Sequence, residues 1–229
     1  MGATVYALEF YQEKYNGVKM KETTILERNK YWNERFQNTI YGVKSINFID
    51  EVIKTLSMKS VLVFGGGYGR NSTVIAKHGF DVVNVDSSYN AAKIGKETYD
   101  NLEYIVGDVF TMKFSQKFDN VVSIYLISLF KENEAKRIIK NMHECLIDNG
   151  NYIVNFLALE DDEYGLGKEV EGNTFLHKDG QIIRFYSEED IKKMYSGFGL
   201  KIDKITKVNE TRNIKGKEIT STSYLVCSN

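Results

Sequence analysis

The chain has 229 residues, 42% of them hydrophobic and 27% charged, with 30 basic against 31 acidic side chains and a net charge of −1. That is the balance of an ordinary globular protein long enough to bury a sizeable core, and it offers no basic stripe for nucleic acid or an anionic membrane. No apolar run nears the roughly 20 residues of a membrane helix, MGATVYALEF lacks the order of a secretory leader, and only two cysteines, Cys145 and Cys227, occur, so a reducing, cytoplasmic setting is expected.

Residues 1–58 read as helical. TTILERNKYWNERFQNTI spaces Ile25, Tyr31, Trp32, Arg35 and Phe36 as one helix face would, and SINFIDEVIKTL repeats the pattern with Ser45 as its expected N-cap. SVLVF (60–64) is a continuous apolar run, which predicts a strand buried on both faces. A short helix over NSTVIAKHG, ending at Gly79, leads to a second strand at 80–86. A helix capped by Ser87 or Ser88 and a third strand at 102–108 follow. The fourth strand is expected at 118–127, an amphipathic helix at 131–146 and a fifth strand at 150–158. Alternation of this kind predicts right-handed βαβ units and a mostly parallel sheet. Residues 160–186 read as a long insertion. The last part predicts a helix at 187–198, with Ser187 and Asp190 as a capping box, and an antiparallel hairpin at the sheet edge. The chain contains no proline, so Gly, Asn, Asp and Ser must make its turns.

The densest signal is FGGGYGRNS, where Gly65, Gly66, Gly67 and Gly69 lie between the first strand and its helix. A turn without side chains lets a ligand approach the backbone, and the helix start presents free N–H groups. A nucleotide or nucleoside is the default ligand there, and a merely tight turn is the plain alternative. Asp86 ends the second strand, where a carboxylate can accept from both ribose hydroxyls. Asp108 ends the third, where it can accept from an adenine amino group while the Val109 N–H meets a ring nitrogen. A dinucleotide fingerprint begun at Gly65 would require glycine where Arg70 stands, and a phosphate-binding loop would require a Gly-Lys-Ser/Thr that is missing.

In this order VLVFGGGYGRNS, VVNVDSS, EYIVGDVF and FDNVVSIYLISLF resemble the motifs of the class I S-adenosylmethionine-dependent methyltransferases. GRNS, YWNERF and FYSEEDIKKMYSGFGLKI are most similar to the branch of tellurite-resistance and thiopurine-type small-molecule methyltransferases. The resemblance covers most of the chain. It implies an α/β, Rossmann-like, doubly wound seven-stranded sheet, mostly parallel, with a C-terminal antiparallel strand pair. One domain is expected: an N-terminal helical cover (1–58), a cofactor-binding core (59–159), an insertion or lid (160–186), and a helix with the C-terminal hairpin (187–229). The implied cofactor is S-adenosylmethionine, leaving as S-adenosylhomocysteine, and the implied reaction is methyl transfer to N, O or S of a small molecule. Phe64, Gly65, Gly66, Gly67, Gly69, Asp86, Ser87, Asp108, Val109, Tyr125, Tyr31 and Arg35 are the expected cofactor contacts.

Two positions depart from the family pattern. Val63 stands where an acid usually supports the cofactor's ammonium end, and Gly66 stands where Cys or Ser is common. A non-catalytic cofactor-binding subunit is therefore a second reading, and a nicotinamide-dependent oxidoreductase a third. No triad or metal cluster is visible, and none is required, because the sulfonium already carries its leaving group. On the acceptor side the candidates are Tyr125, His177 and Arg184, with Tyr11, Tyr31, Trp32 and Arg35 nearby. His177 is either a base or an exposed loop residue; Arg184 either binds an acceptor carboxylate or lies on a solvent face. No nucleic acid, membrane or metal partner is expected, and the protein is expected to be a monomer or homodimer.

Overall fold

The computed structural model describes residues 24–38, 44–214 and 217–228. The proposed helix before Thr24, with Tyr11, lies outside them. The first described helix, α1 (Ile25–Asn38), opens on a reciprocal cap: the Glu27 N–H donates to Thr24 Oγ1 and the Thr24 N–H to Glu27 Oε2. α2 (Ile49–Thr55) starts later than expected, with Phe48 and not Ser45 before it and no side-chain cap. β1 (Ser60–Phe64), α3 (Ser72–Lys77), β2 (Asp81–Asp86), α4 (Tyr89–Thr98), β3 (Glu103–Val106) and β4 (Phe118–Ser123) follow. Ser88, not Ser87, caps α4 by accepting from the Ala91 N–H. α5 (Glu132–His143) leads into β5 (Leu146–Leu157), so Leu146 belongs to the strand and not to the helix face.

The main sheet has seven strands in the order β3-β2-β1-β4-β5-β10-β9, where β9 is Ile202–Ile214 and β10 Lys217–Ser228. The first five are parallel; β10 runs antiparallel to β5 and to β9. The hairpin is therefore not simply appended to an edge, since its second strand lies inside the sheet. Val61, Leu62, Val63 and Phe64 are all buried, as a strand covered on both faces requires. Leu62 and Phe64 pack with Ile138, Ile139 and Met142 of α5 and with Ile191 and Tyr195 of α6 (Glu188–Gly197). Val61 and Val63 pack on the other face with Val52 of α2 and Ile75 of α3. Ser187 and Asp190 form the expected capping box of α6.

The insertion differs from a plain loop. It folds as a second antiparallel sheet of β6 (Lys168–Glu171), β7 (Thr174–Leu176) and β8 (Ile182–Arg184). Asp161, just after β5, ties this region to β10: its Oδ2 accepts from Ser221 Oγ and the Thr222 N–H, both at 2.9 Å. Burial pushes its carboxyl from 3.8 up to about 6. The folded chain thus holds this proton to higher pH than the unfolded chain does. The contribution to stability is fully present below the ordinary value and is lost as pH rises through about 6. Chemical denaturation at several pH values should show Asp161→Asn removing about 2–3 kcal/mol of pH dependence over this window. Parallel stability curves for wild type and variant would rule the assignment out.

Candidate active site

The glycine turn after β1 has positive φ at Gly65 (66°), Gly67 (57°) and Gly69 (91°), conformations that a side chain disfavours. Gly65 faces Leu126, and Gly67 faces the ring of Phe36 from α1. Gly66 abuts Asn84 of β2, whose Nδ2 donates to the Gly67 carbonyl at 3.0 Å. Sequence reasoning missed Asn84; the only signal was one amide within the apolar run VVNV.

Asp86 closes the turn. Its Oδ2 accepts from the Gly67 N–H at 2.8 Å and its Oδ1 from the Ser88 N–H at 2.9 Å. Burial raises its pKa, opposed by the backbone donors of Ser88, Gly67 and Ser87. Asp108 Oδ1 accepts from the Phe110 N–H at 2.8 Å and its Oδ2 from Asn29 Nδ2 of α1 at 2.9 Å. Asn33, one helical turn on, accepts from the Asn90 N–H and from Ser88 Oγ at the start of α4. α1 is thus seated by amides on the two strand ends that carry the acids. A buried Arg28 pins it to Glu134 of α5 at 2.6 Å.

Several expected contacts have other duties. The Phe64 side chain is fully buried in the core, so only its backbone reaches the turn. Val109 is also core, and its carbonyl accepts from Asn141. Tyr31 donates to Asp179 Oδ2 at 2.9 Å and accepts from Arg35 Nη1 at 2.8 Å, joining α1 to the turn between β7 and β8. Burial, then the Asp179 charge, raises the Tyr31 pKa. Trp32 packs against Tyr31 and Phe36.

β4 ends at Ser123, short of the expected 127, because the chain turns sharply there: Tyr125 has φ +59° and a single 3₁₀ turn follows at Ile127–Leu129. The Tyr125 N–H donates to buried Asn155 Oδ1 at 2.5 Å and its hydroxyl to Glu210 Oε2 at 2.7 Å. Glu210 and Asn155 were not anticipated. A glutamate on an alternating strand such as β9 looks like any solvent-facing residue.

For the other two acceptor candidates the exposed alternatives are corrected. His177 is buried in the β7–β8 turn, not exposed, and burial lowers its pKa. Arg184 is buried on β8, not on a solvent face. It pairs with Glu132 of α5 at 2.9 Å, donates to Thr174 Oγ1 at 3.0 Å, and lies 5.3 Å from the centre of the Tyr186 ring. Its cation is consumed in fastening the insertion to α5. Arg184→Ala should therefore cost about 2–4 kcal/mol by leaving part of that network unpaired, measured by chemical denaturation. If it left stability untouched and raised KM for a carboxylate acceptor, the original expectation would return.

Val63 lies within the apolar cluster with Ile75, Val82, Val122 and Ile124. The place of the usual acid has become core.

A five-stranded parallel sheet extended by an inserted antiparallel strand, with a glycine turn after β1 and acids at the ends of β2 and β3, is the architecture of the class I S-adenosylmethionine-dependent methyltransferases. A family profile described as a methyltransferase domain matches residues 31–205, and the chain belongs to that family. It is 27% identical over 195 residues to an uncharacterized methyltransferase of Staphylococcus carnosus, covering 80% of this chain and 93% of that one. It is 26% identical over 141 residues to a probable S-adenosyl-L-methionine-dependent methyltransferase, TehB, of Haemophilus influenzae, covering 59% of this chain and 48% of TehB, about half its length. The TehB crystal structure superposes with TM-score 0.61 at 18% identity, covering 88% and 66% of the two chains. A methyltransferase structure from Anabaena variabilis gives TM-score 0.71 at 14% identity, covering 93% and 98%. The protein is an enzyme, a methyltransferase that uses S-adenosylmethionine. Among the described residues no helix is long and apolar enough to cross a membrane.

Proposed function

We propose that the enzyme methylates N, O or S of a small-molecule acceptor, with the adenosine half of the cofactor held by the glycine turn, Asp86 and Asp108. The observation that carries this reading is the convergence of Gly67, Asp86, Asp108 and α1 at the carboxyl ends of three strands. The residues fit the group. Asp86 Oδ2 accepts from the Gly67 N–H and Oδ1 from the Ser88 N–H, with the Ser87 N–H also nearby, and a carboxylate has about four acceptor sites, so capacity for ribose hydroxyls remains. Asp108 already accepts from an amide NH₂ of Asn29, the same donor chemistry as an adenine amino group. The turn, with Phe64, Gly65, Gly66 and Gly69, offers backbone and no side chain of its own glycines.

The cofactor supplies an activated methyl group on a sulfonium whose thioether leaves without protonation. The protein's part is to align and to exclude water. Tyr125, held at its amide by Asn155 and at its hydroxyl by Glu210, is fixed beside Leu126 and the glycine turn, and lines the acceptor side. The Tyr31–Asp179 contact draws α1 and the insertion together over the strand ends, which favours a small acceptor over a macromolecular one. A base is needed only if the acceptor is protonated at working pH. With Val63 in the core, affinity for the cofactor should rest mainly on its adenosine half.

The test is release of S-adenosylhomocysteine from S-adenosylmethionine with panels of small thiols, amines and phenols, against RNA and protein substrates. Turnover on a small acceptor, weakened by Tyr125→Phe, is the expected result. Turnover confined to RNA or protein would reject the proposal.

A further inference from the structure

Gly67 is gripped on both sides by one strand. Its N–H donates to Asp86 Oδ2 at 2.8 Å and its carbonyl accepts from Asn84 Nδ2 at 3.0 Å. Asn84 and Asp86 are alternate residues of β2, so their side chains leave the same face. Asn84 is 1% exposed, and its Oδ1 accepts from Ser72 Oγ at 2.5 Å. One buried amide therefore ties β2 to the middle of the glycine turn and to the first residue of α3.

The same amide explains the glycine at 66. A Cβ on Gly66 would overlap Asn84 Oδ1. The Gly66 N–H is in turn anchored on the Val85 carbonyl at 3.1 Å, so the turn cannot simply swing away. In the β1–β2 register Asn84 lies opposite Val63. The two departures from the family pattern thus meet at one point: where the usual acid is missing from β1, a polar side chain from β2 holds the turn, and position 66 has given up its side chain to make room.

We propose that Asn84 is a positioning residue for the cofactor. It orients the Gly67 peptide so that the N–H meets only one lone pair of Asp86, which leaves the carboxylate set to receive ribose hydroxyls, and it obliges residue 66 to be glycine. This rests on the reading that adenosine binds at Asp86.

The experiment is calorimetric titration of S-adenosylhomocysteine and adenosine into the full chain, with Tm measured alongside. Asn84→Ala and the volume-keeping Asn84→Leu should each weaken both ligands about ten- to a hundredfold, the loss of one or two oriented hydrogen bonds. KM for S-adenosylmethionine should rise with kcat little changed. Gly66→Ala should weaken binding at least as much, and Gly66→Ala with Asn84→Ala should bind better than Gly66→Ala alone, because the second change vacates the space. A fall in Tm with unaltered affinity of the folded protein would reduce Asn84 to a packing residue and overturn the proposal; so would simple additivity of the pair. Asp86→Ala in the same series separates the two readings: affinity kept there defeats the adenosine site itself, whereas affinity lost there but kept in the Asn84 variants defeats only this inference. Should the Asn84 variants fail to fold, NMR of the unaltered chain decides: saturation with adenosine should shift and protect the Asn84 side-chain amide, and an unmoved signal would reject it.

Discussion

Asp86→Ala is expected to weaken binding of S-adenosylmethionine by about 2–4 kcal/mol, roughly thirty- to a thousandfold, while leaving Tm of the cofactor-free protein nearly unchanged. The two effects separate because the carboxylate has opposite values for folding and for binding. Burial raises its pKa, so the charged form sits in the folded protein against its preference for water. A raised carboxyl contributes stability below its ordinary value of 3.8 and loses it as pH rises through the folded value. At neutral pH its removal relieves that penalty and, in compensation, strips partners from the Gly67 and Ser88 N–H groups. At the proposed adenosine site a ribose would, by contrast, meet a full acceptor in the wild type and none in the variant. Affinity for the cofactor should also decline in acid as Asp86 gains its proton, with a midpoint above that of an ordinary aspartate. Calorimetry that found the same Kd for wild type and variant would remove Asp86 from the binding site.

Gly69→Ala should destabilise the protein by about 2–5 kcal/mol and abolish measurable cofactor binding. Gly69 has φ +91°, outside the range of L side chains, which alone costs about 1–2 kcal/mol. Its Cβ would also fall 2.5 Å from the Tyr104 hydroxyl and 2.7 Å from Leu102 Cδ1. Tyr104 cannot retreat freely, since its hydroxyl donates to the Tyr68 carbonyl at 3.1 Å within the same turn. Overpacking of this kind adds about 1–3 kcal/mol. Gly79→Ala is the internal control: φ is +94° there, but nothing lies within 4 Å of the added atom. That variant should show the backbone penalty alone and bind cofactor normally. Equal losses at both positions would mean that the Tyr104 contact is immaterial.

Much of this architecture was legible because its signals are local and strong. SVLVF is apolar at every position, and only a strand covered on both faces tolerates that. The acids at 86 and 108 follow such runs directly, so their place at strand ends could be read without knowing the sheet order. The small sheet of the insertion could not be read this way. Its strands are three or four residues long, too short for an alternation to emerge, and Lys168–Glu171 carries charge on an exposed hairpin edge. The burial of Arg184 could not be read for a related reason, since it depends on Glu132 of α5 and not on neighbours in sequence, and His177 is buried in the turn of the same small sheet. Glu210 and Asn155 acquire their roles only when β4 turns at Tyr125, where a non-glycine residue takes a left-handed conformation that no propensity would assign. Ser45 failed as a cap because the apolar Ile46 is drawn into the core with 1% exposure, which delays the helix to Ile49.

The placement of β10 between β5 and β9 has a consequence for how the chain is made. On the ribosome β1 to β5 emerge first and can pair with one another in parallel. β9 emerges next but has no neighbour to join, because the slot beside β5 belongs to a strand not yet synthesised. Until β10 arrives, the nascent protein carries an open strand edge along apolar Tyr152–Leu157, the kind of surface that recruits other chains. Nascent chains stalled with β9 outside the exit tunnel and β10 still inside it should accordingly bind chaperones and stay open to protease, and those stalled on a C-terminal linker that lets β10 emerge should acquire protection all at once, the parallel strands together with the hairpin.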